Sequence, residues 1–302
     1  MKLALRVGAG ALLALVFLPT TVFAGGAWLP GKGNGDVQIG FSRKQADTSW
    51  DANGDILNHT GRAESHDFRY GYVSGEVGVA EPLSVHFLVT YLWGLEGPRD
   101  DQTKNVGFSD AWFGAKYRLK GGDWPMALAF TMRTDVFYAQ EGPYTRDLYD
   151  VNGNFVVESP EWRGVLKEDY SLTYLVSHSL GGGKGWWNFE TGYTRREGAP
   201  ADQVPVTSDI GWRLPWKDIT IKGSAVFIRS VGNDSPRRPD DRFGSRPGYS
   251  FNDASMGRLG VSFGIPLGSE KRWTLEAGYN EWVWGRSARR YEEPFLLISR
   301  RF

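Results

Sequence analysis

The chain has 302 residues, 35 basic and 35 acidic side chains for a formal net charge of zero, and no cysteine. No disulfide framework, thiol nucleophile or thiolate metal site is open to it, and the lack of excess positive charge argues against nucleic acid as a partner. It carries 39 Gly, 13 Trp, 13 Tyr and 17 Phe, yet its mean hydropathy is below zero. Strands that alternate apolar and polar side chains produce such totals.

Residues 1–24 begin with Lys2 and Arg6, continue through an apolar run from Val7 to Leu18, and end Val22-Phe23-Ala24 before Gly25. A charged start, a short apolar core and a small-residue cleavage site predict an export signal peptide. The run is too short for a spanning helix. The remainder, 25–302, reads as one domain.

The lead-in to residue 34 is punctuated by Pro30 and glycines. Residues 36–43 then alternate, with Val37, Ile39 and Phe41 on one side and Gln38, Gly40 and Ser42 on the other. Residues 44–63 read as a polar loop, with Asn53-Gly54 as a hairpin tip. A second strand spans 64–80; its phase blurs over 73–76, which predicts a bulge near Gly75. Residues 84–93 place Val85, Phe87, Val89, Tyr91 and Trp93 opposite His86, Leu88, Thr90 and Leu92.

The span 108–119 is more informative. Phe113, Ala115 and Tyr117 share one face; Asp110, Trp112, Lys116 and Arg118 share the other. Residues 126–138 repeat the pattern, with Phe130 and Met132 opposed to Arg133 and Asp135. A charge on the lipid side at the bilayer midplane costs about 2–4 kcal/mol, so the charged faces are assigned to a wet interior. After a long loop with a second Asn-Gly tip at 152–153, strands follow at 170–178, 186–196, 206–214, 219–229, 258–267, 273–284 and 290–302.

Short turns alternate with longer polar loops throughout. That asymmetry, the even strand count and aromatic residues near strand ends predict an all-β fold: a transmembrane antiparallel up-and-down β-barrel of about twelve strands. It belongs in a cell outer membrane, with both termini periplasmic. The last strand, E-E-P-F-L-L-I-S-R-R-F at 292–302, resembles the closing strand of bacterial outer-membrane barrels. That resemblance implies that Phe302 is the assembly signal and that the barrel-assembly machinery is a partner.

The segments E-V-G-V-A-E-P-L-S-V at 76–85 and G-F-S-D-A-W-F-G-A-K-Y-R-L at 107–119, with the lead-in Ala27-Trp28-x-Pro30-x-Lys32-Gly33, resemble one family. It is the outer-membrane barrel family named after the MetA pathway of phenol degradation. The resemblance covers the first half of the mature chain by motif and the rest by pattern. It implies movement of small organic solutes; some relatives lie beside polysaccharide-secretion genes. It brings no catalytic residues with it.

Four histidines are available for catalysis: His59, His66, His86 and His178. His178 and Ser179 are adjacent, but neighbouring strand residues point to opposite faces, so no nucleophile–base pair follows. Asp47, Asp51, Asn53 and Asp55 have calcium-like oxygen spacing but lack the distal glutamate of a calcium loop. No catalytic group, metal or cofactor is assigned, and an enzyme is not expected. The loop at 235–246 mixes Arg237, Arg238, Asp240, Asp241, Arg242 and Arg246, and reads as a solvated surface that could meet lipopolysaccharide phosphates.

The functional candidates are therefore the lumen-lining residues Asp110, Lys116, Arg118, Arg133, Asp135, Glu190, Arg196, Asp209, Arg213, Lys222, Arg258 and Glu276. They predict a passive channel or transporter for small solutes, gated by the loops at 44–63, 139–163 and 230–251. The expected partners are outer-membrane lipid and lipopolysaccharide, the assembly machinery and a small-molecule solute. The competing reading is a non-conducting surface barrel that supports envelope integrity or exopolysaccharide export, its charges paired into a plug.

Overall fold

The computed structural model describes residues 26–50, 53–58, 64–98, 103–134, 148–149, 155–157, 168–196, 201–215, 218–231, 254–286 and 288–302. The strands are β1 (Gly35–Trp50), β2 (Ile56–Asn58), β3 (Glu64–Ala80), β4 (Leu83–Pro98), β5 (Thr103–Lys120), β6 (Met126–Thr134), β7 (Leu148–Tyr149) and β8 (Phe155–Val157). They continue with β9 (Asp169–Leu180), β10 (Gly185–Arg196), β11 (Asp202–Arg213), β12 (Thr220–Val231), β13 (Ser255–Leu267), β14 (Trp273–Arg286) and β15 (Ala288–Arg301). Twelve of them form a single antiparallel sheet in chain order, and β15 pairs with β1 to close it. The result is the expected twelve-stranded up-and-down barrel, its wall closed on itself. The signal peptide at 1–24 lies outside the described residues.

The two faces of the wall are inverted relative to a soluble protein. Ile39 is 58% exposed, whereas Lys44 on the same strand is 1% exposed. Phe113, Tyr117, Phe130, Ile210, Val261 and Leu296 are likewise exposed on the outer face, while Lys116, Arg133, Arg258 and Glu293 are buried inside. An apolar outer band around a polar interior is what a bilayer demands of a closed sheet.

Glycine and aromatic residues interlock across neighbouring strands. Gly40 faces Tyr72, and Gly211 faces Trp186, in direct register. A Cβ on Gly40 would lie 2.0 Å from the Tyr72 ring, and one on Gly211 would lie 2.1 Å from the Trp186 ring. Each ring lies flat on the bare backbone opposite, so large side chains fit against a narrow interior wall.

The structure departs from the sequence reading in two places. First, β1 runs on from Arg43 to Trp50 and pairs with β2 across the Asn53-Gly54 tip, so half the expected loop is wall. Above Phe41 the outward residues are Arg43, Gln45 and Asp47, so the apolar alternation fades while the ladder continues. Second, residues 73–76 are regular; the register shift between β3 and β4 falls between Gly78 and Ala80 instead of near Gly75. Elsewhere the β13–β14 register shifts at Gly257/Arg258: Trp282 stays inward in step with Asn280, and Trp284 beyond the shift is exposed and stacked on Phe227. Strands β7 and β8 flank the second Asn-Gly tip, and the tip itself lies outside the described residues.

Candidate functional site in the barrel lumen

Both strand termini at the seam, Gly35 and Phe302, lie at the short-turn end of the barrel, and the inner wall there is built on carboxylates. Lys116 Nζ donates to Glu76 Oε2 at 2.8 Å, and Ser84 Oγ donates to Glu76 Oε1 at 2.6 Å. Lys222 Nζ lies 2.7 Å from Glu276 Oε1, which also accepts from Ser262 Oγ at 2.6 Å. Asp209 accepts from Trp186 Nε1 at 2.9 Å and from Asn188 Nδ2 at 3.0 Å. Glu190 is partly buried within the fields of Lys116, Asp209 and Glu76. Arg118 Nη1 donates to Glu81 at 2.7 Å at the rim, and Arg213 is exposed where β11 ends.

The lead-in folds into this half of the lumen. Ala27 is fully buried, and Leu29 packs with it on Ala127, Ala129 and Leu175. The Ala27 amide donates to Ser177 Oγ at 2.7 Å, and that hydroxyl donates to Asn188 Oδ1 at 2.7 Å. Arg118 Nη2 donates to the Leu29 carbonyl at 3.3 Å. The three segments on which the family resemblance was read thus meet here: Glu76 with Lys116, and Arg118 with Leu29.

The half towards the long loops is richer in cations. Arg133 Nη1 donates to Asp169 Oδ2 at 2.8 Å, and Arg196 Nε lies 3.6 Å from the same oxygen. Arg133 also sits over the Trp112 ring, 5.5 Å from its centroid. Arg258 Nη1 and Lys44 Nζ lie 3.5 and 3.8 Å from the two oxygens of Glu293. Arg289 is buried on the same strand as Glu293. Around these charges a cluster of Phe68, Tyr70, Leu92, Ile228, Met256, Trp282 and Tyr291 closes the wall. Among the described residues, then, cations exceed acids in the long-loop half, and acids exceed cations in the short-turn half.

The charged rows of β5 and β6 do not face one another. Lys116 is opposite Ala129, Arg118 is opposite Ala127, and Arg133 is opposite Trp112. Their acids come from β3, from the turn that follows it and from β9. Asp110 is placed on β5 by its backbone alone, and Asp135 lies outside the described residues. The sequence reading missed Lys44, Glu76, Asp169 and Glu293. Lys44 fell in the expected loop, Glu76 in the blurred phase, and Asp169 one residue before the expected strand. Glu293 stood on the mixed face of the last strand, where its inward position was legible by parity.

Of the four histidines, His86 and His178 have described side chains. His86 Nε2 lies 3.0 Å from Thr131 Oγ1. The His178 ring stacks on Trp124 at 4.1 Å between centroids, and its Nδ1 lies 2.9 Å from the Asp123 carbonyl. His59 and the charged loop at 235–246 lie outside the described residues, as does His66 beyond its backbone.

These features define an outer-membrane-type β-barrel. The COG4313 outer membrane channel from Pseudomonas putida F1 has a similar structure, with a TM-score of 0.62 and 11% identity over 98% of this chain and 100% of that one. The NanC porin is also similar, with a TM-score of 0.50 and 6% identity over 87% of this chain and 100% of that one. What the chain shares with both is the fold. No family model and no curated protein matches the sequence.

Proposed function

We propose that the chain is a passive outer-membrane channel for small, including organic, solutes, and that its lumen-lining charges set what passes. The observation that carries this reading is the inverted wall: charged and hydrogen-bonding side chains face a lumen, and apolar ones face lipid. The fold shared with a channel and a porin supports it, as does the motif resemblance to the MetA-pathway barrels. On this reading residues 1–24 are removed on export, both termini are periplasmic, and Phe302 addresses the chain to the barrel-assembly machinery. Lipopolysaccharide meets the outer wall.

A second reading, a closed barrel serving envelope integrity or exopolysaccharide export, draws on the lead-in seated in the lumen and on the paired charges around it. Planar-bilayer recording of the mature protein separates the two. Discrete ion conductance is the result expected here. Folded, heat-modifiable protein that inserts without conductance would overturn the channel reading.

A further inference from the structure

The long-loop half of the lumen holds a charge imbalance among buried side chains. Lys44, Arg258 and Glu293 are each at most 5% exposed. Two cations share one carboxylate, so the trio carries one net positive charge. Burying a net charge is costly unless a counter-ion completes it. The contacts inside the trio are also loose. Lys44 Nζ and Arg258 Nη1 approach Glu293 at 3.8 and 3.5 Å, and the short bond to Glu293, at 3.0 Å, comes from the neutral Asn280 amide. Lys44 Nζ, Arg258 Nε and Nη2, and Glu293 Oε1 have no hydrogen-bond partner among the described residues.

The surroundings give the shape of what would complete the charge. The Lys44 ammonium lies over Tyr70 and Trp282, 5.0 and 5.4 Å from their centroids, and the Arg258 guanidinium lies 5.4 Å from that of Trp282. Rings and aliphatic side chains from several strands continue the wall, among them Phe68, Ile228 and Met256. Cationic donors set into an aromatic wall suit a carboxylate attached to an apolar body. A neutral sugar does not offer the charge, and a cation meets like charge.

We infer that Lys44 and Arg258 form a binding site for a small monocarboxylate with an apolar body, and that Glu293 is the resident counter-ion with which that carboxylate competes. This deepens the channel reading, on which it rests, by naming the solute class. Glu293 leans aside as the solute carboxylate takes hydrogen bonds from Lys44 Nζ and Arg258 Nη2. The apolar body lies against Trp282 and Tyr70.

The test is equilibrium binding of benzoate to the full mature barrel in a nanodisc, with benzamide and benzylamine as neutral and cationic controls. Benzoate is expected to saturate one site and the controls to bind at least about tenfold more weakly, as loss of a charge-assisted pair requires. Lys44→Met and Arg258→Met should each weaken benzoate by a similar factor. Glu293→Gln should tighten it, a gain that a misfolded barrel cannot produce. Should either cation variant fail to show the heat-modifiable folded band, Glu293→Gln decides alone. Benzamide binding as well as benzoate, or Glu293→Gln binding no tighter than the parent, overturns the assignment. Conductance is recorded separately. A conducting barrel that ignores benzoate removes this inference and leaves the channel reading. A barrel that binds benzoate without conducting does the reverse.

Discussion

Among the described residues, Asp169 is approached by both Arg133 and Arg196, at 2.8 and 3.6 Å, with all three side chains at most 9% exposed. Removing one member of a buried pair costs several kcal/mol because the other charge stays behind. Arg133→Ala still leaves Asp169 beside Arg196 and should cost about 3 kcal/mol, at the low end of the range for such pairs. Asp169→Ala takes the shared acid from both arginines and should cost more. Urea unfolding in micelles would rank them, and the opposite order would show that Arg133 stabilises through the Trp112 ring instead. This pair was half legible in the sequence. Alternation placed Arg133 inside, but pairing between strands separated by a long loop is a register property that one strand's pattern does not contain. A second residue-scale case lies outside the membrane. Lys271 donates to Asp218 across two short turns, and that hydrogen bond, then its charge, holds the Asp218 carboxyl below the ordinary carboxylate range. A lowered carboxylate pKa contributes stability above the ordinary value and loses it as pH falls through the lowered one. Asp218 has φ 53°, which asparagine tolerates. The thermal midpoint of Asp218→Asn should therefore fall slightly below the parent at neutral pH and rejoin it in acid, and high salt should shrink the gap. A gap that persists in acid would assign the effect to the backbone.

At the scale of elements, the seam between β1 and β15 and the lead-in beside it decide whether the barrel closes and how wide it is. Gly35 and Phe302 exchange both backbone hydrogen bonds, at 3.1 and 3.0 Å, so the last residue is also the last rung of the ladder. Deleting Phe302 removes that rung as well as the proposed assembly signal. The heat-modifiable folded band should fall in cells, while refolding of purified protein into micelles should suffer less. Equal losses in both would make the residue a structural rung and no signal. The lead-in is held by Gly26, whose φ is +54° and where an added Cβ would lie 2.2 Å from Asn188 Oδ1 and 2.3 Å from Ser177 Oγ. Gly26→Ala should therefore lift residues 26–29 off the wall without touching any strand, and make the amino terminus more open to protease. Unchanged protease access would show that Leu29 and Arg118 hold the lead-in without it. The lead-in's glycines and proline announced an irregular segment, but its docking was not legible. The signal was Ala127 and Ala129, two small inward residues where neighbouring β5 carries Lys116 and Arg118, and it acquires meaning only once something is known to sit on them.

For the whole molecule, strand number and closure followed from alternation because lipid and water impose one two-residue period on every strand. The distribution of charge along the lumen axis did not follow. It depends on how far each strand runs, and the apolar signal fades at the interface before the ladder ends. Lys44 was lost to the sequence reading for that reason. The axial arrangement sets up the last prediction. With cations gathered towards the long loops and acids towards the short turns, a permeating ion of either sign meets one favourable and one unfavourable band in series, and neither sign should dominate. Neutralising one band at a time should then tilt selectivity in opposite directions. Glu190 suits the acidic band because it lies in the fields of Lys116, Asp209 and Glu76. Arg196 suits the cationic band because its 3.6 Å approach to Asp169 is the looser of the two contacts there. One unit charge about 8 Å from the ion path in a water-like dielectric is worth about 0.5 kcal/mol, or about a twofold change in permeability ratio. Reversal potentials under a salt gradient should thus shift towards anions for Glu190→Gln and towards cations for Arg196→Gln, each by about that factor. Their combination should return close to the parent. Shifts of the same sign would show that the ion path avoids one of the two bands, and unchanged potentials in a conducting barrel would place that path outside the charged lumen.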